Sequence, residues 1–405
     1  MSIPIQPAAS PLATKLAIFA MAIGSFAIGT GEFAIMGLLP NLAGDLQITE
    51  PEAGHVISAY ALGVVVGAPV IAVLFARFAR KPMVISLMAL FALGNFGSAM
   101  APDYWSLMAL RFVSGLPHGA YFGIAALIAA SMVDHGYRAR AVGRVMLGLT
   151  LATLIGMPVA TWMGQGVGWR PTFAVVGGIA TVAAVMVLRF VPLIAVSEGA
   201  SPLRELGALK RPQVWLTLGI CAIGCGGMFS VFTYVVPMLT EVTGIATGWV
   251  PAVLALFGVG MTLGNVIGAR MADRALMPTI GGMLVFNIVS LGAVPFLALY
   301  WPTAALSVLM VGFTVAIGTA LQTRLMDVAA DGQTLAASLN HAAFNIANAL
   351  GALLGGAAIA AGYGWTSTGP VGALMAVGGV VLFAWSVWLE RRDRDAPNDG
   401  VPMAA

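Results

Sequence analysis

Long runs of uncharged residues dominate this chain and restrict the folds open to it. Each run is long enough for a helix that crosses a bilayer, which needs about 20 residues. Strands of a membrane barrel need only about 10 residues and alternate apolar with polar positions. The runs therefore predict twelve transmembrane helices, with approximate limits 15–39, 53–75, 82–101, 104–132, 145–165, 170–194, 213–238, 247–269, 277–298, 301–323, 333–361 and 366–389.

The composition agrees with an all-α membrane protein. Of the 405 residues, 60% are hydrophobic and only 9% are charged, whereas about 25% are charged in an ordinary soluble domain. The first run is longer than the 7–15 apolar residues of a cleaved signal peptide. We therefore expect it to remain in the protein as a helix.

The basic residues predict the orientation in the membrane. Seventeen of the nineteen Lys and Arg residues fall on one side of the predicted spans, and the two others are Arg111 and Arg170. Short cytoplasmic loops retain basic residues, so we expect cytoplasmic termini in a bacterial-type inner (plasma) membrane. The basic residues flank the membrane and form no continuous surface, so nucleic-acid binding is not expected.

The spans divide six and six, and the two sets resemble each other. Gly63, Gly67 and Arg77 recur as Gly260, Gly264 and Arg274 at a constant offset of 197 residues. Such an offset favours duplication of a six-helix unit, and duplicated halves commonly place a transporter's substrate near the middle of the bilayer. We predict an N-terminal bundle (1–197), a cytoplasmic linker (198–212), a C-terminal bundle (213–391) and a cytoplasmic tail (392–405).

Neither catalytic nor metal chemistry is expected. Cys221 and Cys225 stand four apart in an apolar run, which favours packing over a disulfide or a metal site. The four histidines are scattered over separate segments, and no paired carboxylates or zinc-binding motif accompany them. We therefore expect a protein that is not an enzyme and has no cofactor.

Glu32 and Arg111 are the two charged residues placed inside predicted spans at a matched depth. Glu32 lies seven residues before Leu39, and Arg111 lies seven after Tyr104. At about 1.5 Å per helical residue, both are about 10 Å inside the same membrane face. They can pair if their helices touch. A charge in the bilayer is costly and usually functional, so we expect proton coupling; a static ion pair is the alternative.

Polar residues follow one face of two further spans. Arg111, Ser114 and His118 form a stripe on the fourth span, where His118 can relay protons or simply bond to a neighbouring helix. The eleventh span carries a second stripe, whose residues can either bond to neighbouring helices or contact a substrate. It consists of Ser338, His341, Asn345 and Asn348.

Several motifs together resemble the major facilitator superfamily, and in particular its twelve-span drug:proton antiporters in the arabinose efflux permease subgroup. They cover both halves of the chain. The motifs are G-E-F-x-I-M-G-L-L-P (Gly31–Pro40), A-G-H-x-I-S-x-Y-A-L-G (Ala53–Gly63), A-R-F-A-R-K ending at Lys81, R-x-x-S-G (Arg111–Gly115), S-G-L-P-H-G-A (Ser114–Ala120) and F-N-I-A-N-A (Phe344–Ala349).

The resemblance implies two pseudo-symmetric six-helix bundles around a central cavity, with Glu32 and Arg111 at the positions that exchange protons. The chain departs from the family pattern between spans two and three, where Ala72, Ala76 and Ala79 replace two glycines and an aspartate. Gating is therefore assigned to Arg77, Arg80 and Lys81 and to the second-half copy at Asp273 and Arg274. The antiporter motif of the fifth span is also altered.

The sequence predicts a proton-coupled secondary transporter that exports a small organic compound. It contains no Walker motif, so ATP is not expected to drive transport directly. Proton-symport uptake of a sugar or metabolite, and a transporter-like sensor, are the alternatives. We expect a monomer whose partners are the substrate, protons and the lipid bilayer, and a substrate cavity formed by Phe33, Tyr60, Tyr234, Asn265, Gln322, Asn345 and Asn348.

Overall fold

The computed structural model describes residues 11–74, 78–134, 138–193, 206–329 and 333–395, and within these ranges the chain forms helices and no strands. The helical spans are labelled α1 to α12 in chain order, and we call α1–α6 the first half and α7–α12 the second half. Their bounds are α1 Pro11–Leu46, α2 Glu50–Leu74, α3 Arg80–Met100, α4 Tyr104–Ser131, α5 Arg138–Leu151 with Met157–Val167, α6 Trp169–Phe190, α7 Pro212–Thr233 with Val235–Pro237, α8 Val250–Arg274, α9 Leu276–Gly292 with Val294–Leu297, α10 Trp301–Ala329, α11 Gln333–Ala358 and α12 Thr368–Asp395.

These helices fill all twelve predicted spans. Eleven helices among the described residues are long and apolar enough to cross a membrane. The ninth span contains the shorter apolar helix Leu276–Gly292, which Val294–Leu297 continues. The predicted all-α fold is therefore confirmed. An even number of crossings places both termini on one face, which we call the terminal face, and we call the other the opposite face.

Proline interrupts α4 in the middle of its course. The first segment ends at Gly115 and the second begins at His118. Pro117 lies between them, and proline has no N–H to donate to the preceding turn. The interruption places His118 in the first turn of a new helical segment, deep in the protein.

Glycines allow the helices of each half to pack closely. A Cβ added to Gly63 of α2 would lie 2.1 Å from the carbonyl oxygen of Phe112 of α4, and one added to Gly260 of α8 would lie 2.1 Å from that of Leu309 of α10. Contacts this short leave no room for a side chain. The pairs are equivalent, because both members differ by 197 residues.

A reciprocal pair of glycines extends the same correspondence. A Cβ at Gly115 would lie 2.1 Å from the carbonyl oxygen of Tyr60, and one at Gly312 would lie 2.3 Å from that of Phe257. The offset is again 197. The repeat in the sequence therefore coincides with two copies of one helix contact, α2 on α4 and α8 on α10.

The two halves contact each other on both sides of the middle of the membrane. Towards the opposite face, the Ser58 hydroxyl donates to the carbonyl of Ala349 at 3.3 Å. Gln165 donates to the carbonyl of Thr247 at 3.0 Å at the same face. Towards the terminal face, the ring of Phe122 on α4 contacts the ring of His341 on α11, which belongs to the second half.

An ion pair accounts for the isolated basic residue Arg170. Its guanidinium binds the carboxylate of Asp45 and lies over the ring of Trp169, whose indole N–H also donates to Asp45 at 3.1 Å. The pair connects the end of α1 to the start of α6. A neutralised arginine is compatible with a loop that lacks other basic residues.

Candidate functional site

Glu32 lies on α1 and faces the second half of the molecule. Its side chain is buried, with 6% of the residue exposed. The amide nitrogen Nδ2 of Asn348 on α11 lies 3.5 Å from its carboxylate oxygen Oε1 and donates to it. The carboxylate is thus enclosed by protein at a contact between the halves and does not face lipid.

Arg111 and Glu32, which could pair if their helices touched, form no ion pair in this structure. Within the described residues the ion pairs are elsewhere, and Nη2 of Arg111 donates instead to the carbonyl oxygen of Gly31 at 2.8 Å. The direct pair that the sequence left open, and the static ion pair that was its alternative, are not formed in this conformation.

Two aromatic rings hold the Arg111 guanidinium in this position. Its central carbon lies 4.4 Å from the ring centroid of Tyr60 and 5.1 Å from that of Phe173. The residue is fully buried, and its Nε and Nη1 atoms have no hydrogen-bond partner. Because cation–π contacts are strong when both groups are desolvated, the rings direct the guanidinium towards the α1 main chain.

Tyr60 connects this arginine to His118. The Tyr60 hydroxyl and His118 Nδ1 are 2.9 Å apart, a hydrogen bond between α2 and α4. Both residues are almost fully buried. Tyr60 therefore offers its ring to Arg111 and its hydroxyl to His118, which makes it the central member of the cluster.

The cluster continues across the boundary between the halves. The ring centroids of His118 and His341 are 6.4 Å apart. Phe122 stacks on His341 with a centroid distance of 5.4 Å and an angle of 8°. Two titratable rings from different halves thus lie side by side on the terminal side of Tyr60.

The two predicted polar stripes are only partly directed into the cluster. Ser114 donates to the carbonyl of Leu110 in its own helix at 2.8 Å, and Asn345 donates to that of His341 at 3.0 Å. His118 and His341 instead contact other helices. In this structure His341 contacts Phe122 and His118 of another helix, and the spacing along the helix did not distinguish it from Asn345. Contact of this stripe with a substrate stays a prediction.

Other predicted cavity residues lie apart from the cluster. Phe33 contacts Phe232 of α7 with centroids 6.4 Å apart, and the Tyr234 hydroxyl donates to the carbonyl of Ala352 at 2.8 Å. Asn265 and Gln322 are half-buried. In the described part of the chain, neither amide has a hydrogen bond to the cluster. Their assignment to a cavity stays a prediction.

The predicted gating residues lie at helix ends. Arg80 and Lys81 begin α3, and Asp273 and Arg274 are exposed in the last turn of α8. Arg77 lies outside the described residues. No group of His, Cys, Asp and Glu residues within the described ranges is arranged to hold a metal ion, and Cys221 and Cys225 are free and buried.

Sequence reasoning missed three participants in the cluster. Phe173 and Phe122 are apolar and carry no signal that separates them from packing residues, and the Gly31 carbonyl belongs to the main chain. Tyr60 could have been placed near His118 by depth alone. Tyr60 lies ten residues into α2 and His118 fourteen into α4, both counted from the opposite face.

The family comparison matches most of the chain. Residues 21–337 match the model of the Major Facilitator Superfamily. The inner membrane transport protein YdhP of Escherichia coli (strain K12) is 44% identical over 362 residues, which are 89% of this chain and 92% of that protein. A chloramphenicol resistance protein of Streptomyces lividans is 33% identical over 379 residues, or 91% and 95% of the two chains.

A solved structure supports the fold. The chain superposes on a bacterial homologue of the human lysosomal transporter Spinster, in an inward-facing and unoccupied conformation, with a TM-score of 0.71 and 17% sequence identity. The match covers 96% of this chain and 100% of the other. At this identity the likeness concerns the arrangement of helices alone.

Proposed function

Because this chain belongs to the major facilitator superfamily of membrane transporters, we propose that it exports a small organic compound in exchange for protons. The observation that carries the proposal is the position of Glu32. It is a buried carboxylate on α1 whose donor, Asn348, belongs to the other half. Movement of the halves therefore changes the surroundings of a group that can bind a proton.

The electrostatics of this site suit a proton exchange. A carboxylate enclosed by protein costs free energy unless it is paired, and protonation removes that cost. Arg111 is close by but is bonded to the Gly31 carbonyl, so no salt bridge has to break when Glu32 gains or loses its proton. Opening to either face would admit water or substrate and so change whether the protonated or the ionised form of Glu32 is favoured.

Alternating access accounts for contacts on both sides of the site. Ser58 with Ala349 lies towards the opposite face, and Phe122 with His341 lies towards the terminal face. Separation of the first pair would open the site to one side, and separation of the second to the other. We propose that the predicted bundles, 1–197 and 213–391, are the units that move, with Arg80, Lys81, Asp273 and Arg274 at the gates.

The direction of transport and the substrate class rest on chemistry and on relatives. The chloramphenicol resistance protein supports export of a compound that is toxic to the cell. Next to Glu32 on α1, Phe33 packs against Phe232 of the other half, and both rings are buried. Separation of the halves would turn these two rings into an aromatic surface. A drug, sugar or metabolite with an apolar part fits such a surface. We propose a monomer in a bacterial inner membrane with its termini in the cytoplasm.

The test has two parts. Cells with and without the protein are compared for growth inhibition over a panel of toxic compounds, and a protective effect identifies a substrate. Purified protein in vesicles with an imposed pH gradient then reports the direction of flux. Extrusion against inward proton flow supports the proposal, and accumulation together with protons would replace it by symport.

Glu32→Gln is the decisive variant in both assays. We expect it to abolish protection and the response to the pH gradient, because glutamine cannot exchange a proton. Glu52→Gln is the matched control, since Glu52 is exposed and accepts hydrogen bonds from Thr49. Undiminished pH-driven flux in Glu32→Gln would refute the role of Glu32. A protein that gives no flux with any compound of the panel would instead favour the sensor alternative.

A further inference from the structure

His341 is a half-buried titratable group that the proposed exchange at Glu32 does not use. It faces His118 across the boundary between the halves, at a ring centroid distance of 6.4 Å. Phe122 lies against both rings, at 5.2 Å from His118 and 5.4 Å from His341. The two imidazoles thus share one apolar enclosure on the terminal side of Glu32.

We propose that His118 and His341 together form a second proton-binding site, through which protons pass between Glu32 and the terminal face. The proposal rests on the proton coupling proposed above and adds the route. The two histidines are the proton-carrying groups, and Tyr60 connects them to the region of Glu32 and Arg111.

The first step of the route follows from the hydrogen bond between Tyr60 and His118. When the Nε2 atom of His118 carries the ring proton, Nδ1 accepts from the Tyr60 hydroxyl at 2.9 Å. The protonated Glu32 carboxyl group is the proton source: it gives its proton through an intervening water molecule to the Tyr60 oxygen as the Tyr60 proton moves to Nδ1, and Glu32 is left as a carboxylate. His118 is then an imidazolium, and Tyr60 has as many protons as before. Glu32 acts electrostatically on this hydroxyl, and Arg111 lies over the ring.

The second step transfers the proton from His118 to His341. The ring centroids are 6.4 Å apart, too far for a direct hydrogen bond between the rings, so the transfer needs a water molecule between them. His118 releases its Nε2 proton to this water and becomes neutral, and the water gives a proton to His341, which becomes the imidazolium. His341 then gives the proton to water at the terminal face when α4 and α11 separate. Tyr60, His118 and His341 each end with the number of protons with which they began, and the net result is one proton moved from Glu32 to water at the terminal face. His118 ends with its ring proton on Nδ1 and returns to the Nε2–H tautomer before the next transfer.

The spacing limits the closed site to one proton. Two positive rings at 6.4 Å repel each other in a medium of low dielectric constant. A second proton therefore favours separation of α4 from α11 and opening to the terminal face. Other titratable and charged groups on the surrounding helices include Lys15 and Glu32 of α1, His55 and Tyr60 of α2, Arg80 and Lys81 of α3, Arg111 and Tyr121 of α4, Arg144 of α5, and Asp327 and Arg324 of α10. Arg324 is paired with Glu390 of α12 at 2.9 Å.

Histidine NMR on the full chain tests the pair directly, without a substrate. The chain has only four histidines, so single His→Gln variants assign each imidazole signal of protein labelled with ¹⁵N-histidine in lipid nanodiscs. Coupled groups titrate in shared steps. We expect His118 and His341 to titrate together, and His341→Gln to change the His118 midpoint by about one pH unit, as expected for charges at this separation.

His55→Gln is the matched control. His55 of α2 bonds to the Tyr104 hydroxyl at 3.0 Å, outside the cluster, so its loss should leave the His118 curve unchanged. If His341→Gln does not fold, His118→Gln is observed through His341, with the same expectation. Independent titration of the two rings in the unsubstituted protein, or an unchanged curve for the remaining ring in either variant, would overturn the proposal.

Tyr60→Phe tests the connection to Glu32. Loss of the hydroxyl removes the hydrogen bond that fixes the His118 tautomer, so we expect a changed pattern of ¹⁵N shifts at His118 and little change at His55. An unchanged His118 pattern would overturn the route. These spectra are independent of the flux measurement, so the two proposals can fail separately. If the histidines titrate together but Glu32→Gln has no effect on transport, the proposed function is refuted. If the histidines titrate independently but Glu32→Gln clearly impairs transport, only the second proton-binding site is refuted.

Discussion

Arg111 donates its hydrogen bond to the main-chain carbonyl of Gly31, at 2.8 Å, although the next residue carries a carboxylate. A buried ion pair is strongly destabilised when one partner loses its charge, by about 3–5 kcal/mol. Without that pair, protonation of Glu32 leaves the bond to Gly31 intact. The arginine can therefore remain in place through a cycle in which the acid changes charge.

Arg111→Lys should be damaging although it conserves the charge. Lysine has no planar guanidinium to lie on the rings of Tyr60 and Phe173 while it reaches the α1 main chain. We expect a loss of stability of about 1–3 kcal/mol and about tenfold weaker transport, measured by thermal unfolding and by flux. Arg189→Lys, at an exposed position, is the control. Equal melting temperatures for the two variants would show that the rings do not hold the guanidinium.

Asn348→Ala should change the pH profile of transport more than it changes stability. The amide donates to Glu32 over 3.5 Å, and a carboxylate that loses a donor binds its proton more tightly. One hydrogen bond of about 1 kcal/mol corresponds to roughly 0.7 pH units, so we expect the profile to move to higher pH by about that amount. The measurement is efflux as a function of pH.

Asn345→Ala provides the contrast for that experiment. Its amide donates to the carbonyl of His341 in its own helix, so the pH profile should stay where it is. If Asn345→Ala moves the profile as far as Asn348→Ala does, the effect comes from disturbing α11 as a whole and not from the bond to Glu32.

The glycine contacts within the two halves should be equally intolerant of a methyl group. A Cβ at Gly63 or Gly260 would lie 2.1 Å from a carbonyl oxygen, so the helices must move apart. We expect Gly63→Ala and Gly260→Ala each to cost about 1–3 kcal/mol or more, seen as a lower melting temperature. Gly44→Ala, where nothing lies within 4 Å, should be neutral or stabilising by up to about 1 kcal/mol.

A disulfide between the halves should block turnover. The Ser58 hydroxyl donates to the main-chain carbonyl of Ala349 at 3.3 Å, so Ser58→Cys combined with Ala349→Cys puts one cysteine on each side of this contact, towards the opposite face. The natural Cys221 and Cys225 are replaced by Ala first. We expect oxidation to stop flux and a reductant to restore it, with each single-cysteine protein active. Full flux in the cross-linked protein would exclude separation of α2 from α11 during the cycle.

The sequence was sufficient to predict where the helices lie, but it was not sufficient to predict which groups the charged residues bind. Charge-free runs delimited the twelve spans because each uncompensated charge in a bilayer is costly. The offset of 197 residues anticipated two equivalent helix contacts. Counting depth correctly brought Glu32 and Arg111 to one level, but it gives no information on rotation about the helix axis. The sequence therefore did not predict that the Arg111 guanidinium binds the main-chain carbonyl of Gly31.

Aromatic partners were the part of the site that the sequence could not supply. Phe173 and Phe122 have the same composition signal as any packing residue in an apolar helix. His341 was recognised as polar, yet its neighbour across the halves depends on how α4 and α11 pack, which helical periodicity within one span does not specify. Ser114 and Asn345 were predicted from their spacing to face other groups, but each donates a hydrogen bond to a carbonyl of its own helix.

The contact between Asp45 and Arg170 has a consequence for biogenesis. It joins the end of α1 to the start of α6, so both partners have been synthesised before the first residue of α7. The ion pair between Asp45 and Arg170 can therefore form before the second six helices are translated. With the termini in the cytoplasm, as proposed above, Arg170 must cross the bilayer during insertion. Removal of the Asp45 carboxylate should then act early, while the nascent chain is still being inserted and the arginine has lost its partner.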